Sequence, residues 1–125
     1  MTLSKSDLSQ FYGTTAYHPW SILFRNMFLT DGAKHVAEEG NAYWLMDAIA
    51  SHQPDCLKHQ MLREIQFWKL ERKGNGAVLT CKKDSGHKPT VRQEIEFTDF
   101  PLDEIALYVA PIDDRRYVIM LPTEN

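Results

Sequence analysis

A chain of 125 residues, 43% hydrophobic and 25% charged, has enough apolar material for one core without disulfide or metal. A formal net charge of -3 lacks the basic footprint of a dedicated nucleic-acid binder. No apolar run approaches the roughly 18 residues of a membrane helix, and Met1-Thr2-Leu3-Ser4-Lys5 is no signal-peptide start.

These features predict a single cytoplasmic domain over residues 1–125, its helical part at 4–62 and its sheet at 64–122. Ser4 to Tyr12 is expected to be a short helix, with Ser4 and Asp7 at capping-box-like spacing and Gly13 breaking it. Pro19 suits the first turn of a second helix. Trp20, Leu23, Phe24, Met27 and Phe28 follow at three- and four-residue spacing, ending near Leu29. A third helix is expected over Gly32 to Glu39, capped by Thr30 or Asp31 and ended by Gly40 in a left-handed conformation.

The central helix runs from Asn41 to Gln53. Ala42, Leu45, Met46, Ile49 and Ala50 form an apolar arc that Tyr43, Trp44 and Ala48 extend, so the helix is expected to be buried on most sides. Its one formal charge, Asp47, must then reach solvent, accept hydrogen bonds from another segment or take up a proton; Tyr17, His18, His35, Arg25 and Arg116 are candidate donors. A shorter helix follows through Cys56, Leu57, Met61 and Leu62.

From Glu64 the period changes to two. Strands are expected over Glu64 to Arg72, Ala77 to Lys83, Val91 to Phe97, Ile105 to Val109 and Tyr117 to Leu121, with Lys73-Gly74-Asn75-Gly76 as a hairpin turn and Asp84 to His87 as a second turn. The unbroken apolar run Tyr117 to Leu121 suits an inner strand. The fold class expected is α+β, with N-terminal helices on one face of a C-terminal antiparallel sheet of about five strands. Trp44, Leu45, Ile49, Phe67, Ile95 and Ile119 are its expected core.

Thr30-Asp31-Gly32-Ala33-Lys34, Ala42-Tyr43-Trp44-Leu45-Met46-Asp47, Phe67-Trp68-Lys69-Leu70, Thr98-Asp99-Phe100-Pro101-Leu102 and Met120-Leu121-Pro122-Thr123-Glu124 span nearly the whole chain. In these stretches it resembles a family of small uncharacterised bacterial proteins, a domain of unknown function. The resemblance implies association with mobile elements such as plasmids, phages or genomic islands, and supplies no catalytic residue.

Chemistry must therefore be sought in the side chains themselves. Cys56, His59, Cys81 and His87 have spacings from which a tetrahedral zinc site could be assembled. Cys56 and His59 share a helix and Cys81 lies mid-strand, so buried free thiols are the preferred reading, with no metal or cofactor expected. Asp47 with His18 or His35 is the candidate acid–base group, set against a satisfied structural network. Asp31, His35 and Glu39 stack along one helix side, where a cap and a solvated pair account for them. His52 suits the negative end of the central helix. Lys69, Arg72, Lys73, Lys82, Lys83, Lys88 and Arg92 gather near Trp68, but Glu64, Glu71, Asp84, Glu94 and Glu96 interleave them, so nucleic-acid binding is not expected. The reading is a non-enzymatic module that binds a protein partner, with self-association open. A small enzyme using Asp47 and a histidine beside the central helix is the alternative.

Overall fold

The computed structural model describes Leu8 and residues 16–20, 24–83 and 88–124. The helix expected over Ser4 to Tyr12 and the turn at Asp84 to His87 fall outside these residues, apart from Leu8, which is helical. The elements in chain order are β1 (Tyr17–Pro19), β2 (Met27–Thr30), α1 (Asp31–Glu39), α2 (Tyr43–Ser51), α3 (Gln53–Cys56), α4 (Gln60–Glu64), β3 (Gln66–Lys73), β4 (Gly76–Lys82), β5 (Val91–Ile95), β6 (Glu104–Pro111) and β7 (Tyr117–Met120). A 3₁₀ turn, Pro122–Glu124, follows β7.

Among the described residues the sheet has seven strands in the order β1-β2-β7-β6-β3-β4-β5. It is mixed: β2 runs parallel to β7, and the other neighbours are antiparallel. This corrects the expected five-stranded antiparallel sheet, and the extra strands come from the segment expected to be the second helix. Met27 and Leu29 lie opposite Tyr117 and Ile119, while Phe28 sits on the other face beneath the Arg116 guanidinium, 5.7 Å from its ring centroid. A strand apolar on both faces has no two-residue alternation, and its spacing mimics a helix.

Helix α1 starts where expected. The Thr30 hydroxyl accepts the Ala33 N–H at 3.2 Å, and the buried Glu124 carboxylate accepts the Gly32 N–H at 3.0 Å and the Leu121 N–H at 2.9 Å. Gly32 is required by this closeness, since a Cβ there would lie 2.5 Å from Glu124 Oε1 and 2.6 Å from Leu121 Cδ1. At the other end Gly40 keeps ordinary helical angles, and Asn41 takes the left-handed conformation at φ 49°. Ala42 then precedes α2, with no side-chain cap.

The core lies between the helices and one sheet face, where Ala33, Val36, Leu45, Met46, Ile49 and Cys56 pack on Leu29, Trp68, Leu70, Leu79, Leu107 and Ile119. Leu45, Ile49 and Ile119 are fully buried as expected. Trp44, Phe67 and Ile95 are only partly buried, and Trp68 fills the place expected for Phe67. Helix α2 is also less enclosed than its composition suggested, because Tyr43 and Asp47 face outward. Two buried amides join α3 to β3 in a closed pair: Gln66 donates to Gln53 Oε1 at 2.8 Å, Gln53 donates back at 2.9 Å, and the Trp68 indole donates to Gln66 Oε1 at 2.8 Å.

Candidate binding groove on the open sheet face

Along β3 the side chains divide by strict alternation. Gln66, Trp68 and Leu70 enter the core, and Phe67, Lys69 and Glu71 take the opposite face. The register carries this face across three strands in rows. Tyr108, Phe67 and Lys82 form the first row, Ala106, Lys69 and Thr80 the second, and Glu104, Glu71 and Val78 the third. An aromatic row with a cation at one end thus borders a row with small residues at both ends. The small side chains leave a depression of about 630 Å³, which Pro89 closes at the β5 side.

The Phe67 and Tyr108 rings meet edge to face, with centroids 4.9 Å apart and planes at 88°. Lys69 Nζ lies 3.2 Å from Glu104 Oε2. The hydrogen bond to Glu104 holds the Lys69 ammonium above its ordinary pKa, with the charges of Glu71 and Glu104 adding to the effect. The groove therefore offers a fixed aromatic corner, an ammonium neutralised by its neighbours and a second cation, Lys82, at the rim. Such a surface suits an apolar side chain followed by an acidic one. Farther along the same face Val118 and Met120 are buried, so the opening is confined to β3, β4 and β6. A second hollow of about 700 Å³, beside the α2–α3 junction, is lined by Arg25, Ser51, Pro54, Arg115 and Tyr117 among others.

The candidate acid–base residues are distributed differently from expectation. His18 Nε2 lies 2.7 Å from Asp31 Oδ1, a half-exposed pair that links β1 to the first residue of α1. Asp47 is exposed and accepts the Trp20 indole N–H at 2.8 Å, while the Trp20 ring stacks on Tyr43 at 5.8 Å and 11°. Its donor does come from another segment, but from a residue absent among the expected partners. His35 lies half-buried on α1. His18 and Asp47 are thus engaged with different partners.

Cys56 and Cys81 are both buried and hydrogen-bond to each other. That bond holds Cys56 below its ordinary pKa and, with burial, pushes Cys81 far up. His59 is exposed at the start of α4, and His87 lies outside the described residues. His52 ends α2, with Nε2 2.7 Å from Gln93 Oε1 and its ring 5.8 Å from that of Trp68. The basic cluster is divided as well: Arg72 turns back to the Phe100 carbonyl at 2.9 Å, and Arg92 pairs with Glu94 at 3.0 Å.

Sequence reasoning missed the Phe67–Tyr108 corner. The signal was present, because a period of two puts Phe67 with Lys69 and Glu71 rather than with Leu70.

A solved structure described as a protein of unknown function from Enterococcus faecalis is similar in fold. It matches with a TM-score of 0.56 and 16% identity, over 88% of this chain and 98% of that one. No curated protein matches the chain. No helix among the described residues is long and apolar enough to cross a membrane. Residues 2–125 match the family of unknown function DUF6876, and the chain belongs to that family.

Proposed function

We propose that this protein is a non-enzymatic binding module, regulatory in role, that takes an extended segment of a partner protein into the open-face groove. The observation that carries this reading is the row Tyr108, Phe67 and Lys82, aromatic corner and cation together on the sheet face opposite helices α1 to α4. Residues that only solubilise a sheet face have no need of two interlocked rings. The sequence resemblance to proteins of plasmids, phages and genomic islands supports a bacterial, cytoplasmic protein carried on a mobile element.

The test is photo-crosslinking in the native host, with a benzophenone side chain at Glu71 on the groove and, as control, at Glu38 on α1. A discrete protein adduct at Glu71 that Phe67→Ala and Tyr108→Ala abolish supports the reading. Adducts indifferent to both alanines, or none, reject it.

The enzymatic alternative has one observation in its favour, the His18–Asp31 contact of 2.7 Å. A turnover activity lost in a folded His18→Gln variant would favour it over the module.

A further inference from the structure

The sheet ends in two unlike edges. β1 is three residues long and includes Pro19, which has no N–H to offer a neighbouring strand. β5 is five residues long, contains neither proline nor glycine, and among the described residues pairs only with β4. It is the better template for another strand.

Its sequence also specifies which strand. Directly opposed residues of an antiparallel pair point to the same face. When two copies of Val91-Arg92-Gln93-Glu94-Ile95 pair about a two-fold axis at Gln93, Val91 opposes Ile95 and Arg92 opposes Glu94. The faces agree with this. Val91 and Ile95 lie opposite Cys81 and Ala77 on the core side, whereas Arg92 and Glu94 lie opposite Thr80 and Val78 on the groove side. Apolar residues thus meet apolar ones, and each charge meets its opposite. An axis at Arg92, Glu94 or Ile95 would set like charges against each other, and one at Val91 would bring Pro89, outside the strand, opposite Gln93, so the complementarity selects one register. Gln93, on the axis, is already held by His52 at 2.7 Å. Just past the strand, Phe97 is 74% exposed, a large apolar ring at the end of this edge.

We propose that β5 is a homodimer interface, joining two copies antiparallel about Gln93 into one continuous sheet. The axis stands perpendicular to the sheet, so both grooves open on the same side. Five strand spacings of about 4.8 Å separate the two β3 strands by about 24 Å. The dimer does not depend on what the groove binds.

Sedimentation equilibrium between about 1 µM and 1 mM tests the proposal. The wild-type protein is expected to pass from monomer to dimer within that range. Arg92→Glu and Glu94→Arg each place like charges opposite each other twice in the interface and should weaken dimerisation about tenfold. The double variant Arg92→Glu/Glu94→Arg restores opposite charges and should return the dimer to within about threefold of wild type. Circular dichroism melts of each variant establish that it is folded. A wild-type monomer at every concentration would overturn the proposal. A dimer indifferent to the single reversals, or one the double reversal does not rescue, would overturn it equally.

Discussion

The carboxylate of Glu124 accepts a hydrogen bond from the hydroxyl of Thr30, 94 residues away in the chain, and so completes the first turn of α1. Glu124 is buried, and the backbone N–H groups of Gly32 and Leu121 also point at it. Glu124→Ala strands those donors in the interior and should cost about 3 kcal/mol in denaturant melts. Gly32→Ala should cost about 2 kcal/mol by forcing the same carboxylate aside. Losses below about 0.5 kcal/mol for both would show that water replaces the contact.

The amide pair of Gln53 and Gln66 should behave as one unit. Gln66→Leu leaves Gln53 Oε1 and the Trp68 indole N–H without partners, while Gln53 Nε2 keeps the Ile49 carbonyl, and should cost about 2 kcal/mol or more. Gln53→Leu together with Gln66→Leu removes both halves, and the double-mutant cycle should give a coupling of about 1–3 kcal/mol. Simple additivity would mean that the two amides act separately.

Ile49 and Phe67 separate stability from binding. Ile49→Ala opens a cavity under the helices and should cost roughly 2–5 kcal/mol. Phe67→Ala, on the open face, should cost about 1 kcal/mol and abolish the groove crosslink. A larger loss for Phe67→Ala than for Ile49→Ala would put the core on the wrong side of β3.

Asp47→Asn should change stability by less than about 1 kcal/mol, because the carboxylate is exposed and its bond to Trp20 is open to water. A thermal melt of the variant is sufficient. A loss of several kcal/mol would give Asp47 the fold-specifying role that the apolar make-up of α2 suggested.

In the β6–β7 turn, the Asp113 carboxylate accepts the Arg115 and Arg116 N–H groups, each at 2.9 Å, and the Arg116 Nε–H at 2.7 Å. The Arg115 N–H is the leading cause that holds its pKa below the ordinary value, followed by the Arg116 side chain and backbone. A lowered folded-state pKa means that the stabilisation is present above the unfolded value of about 3.9 and lost as pH falls through the folded one. The stability difference between wild type and Asp113→Asn should therefore shrink as pH drops below about 4. A difference constant across that range would refute the assignment.

How much of this was legible in the sequence depends on how local the cause is. Thr30 as a cap and the Gly74-Asn75 turn are short-range features, and both stand where expected, with Gly74 at φ 61°. The strand at Met27 to Thr30 was not legible. Its pairing partner lies about 90 residues on in the parallel strand β7, and an apolar run flanked by Trp20 and Phe24 fits a helix equally well. The open groove had a local signal in the alternation of Phe67, Lys69 and Glu71. Its other wall, Tyr108, is brought there by the β3–β6 register, which no local pattern encodes.

The parallel pairing of β2 with β7 also orders events during synthesis. Residues 66–111 can assemble β3, β4, β5 and β6 by antiparallel pairing as they emerge. Until residues 117–124 follow, β2 has only three-residue β1 beside it, and Glu124 is absent from the start of α1. Met27, Leu29 and the first turn of α1 therefore reach their final packing only when residues 117–124 join them, which makes this corner of the sheet the last to close.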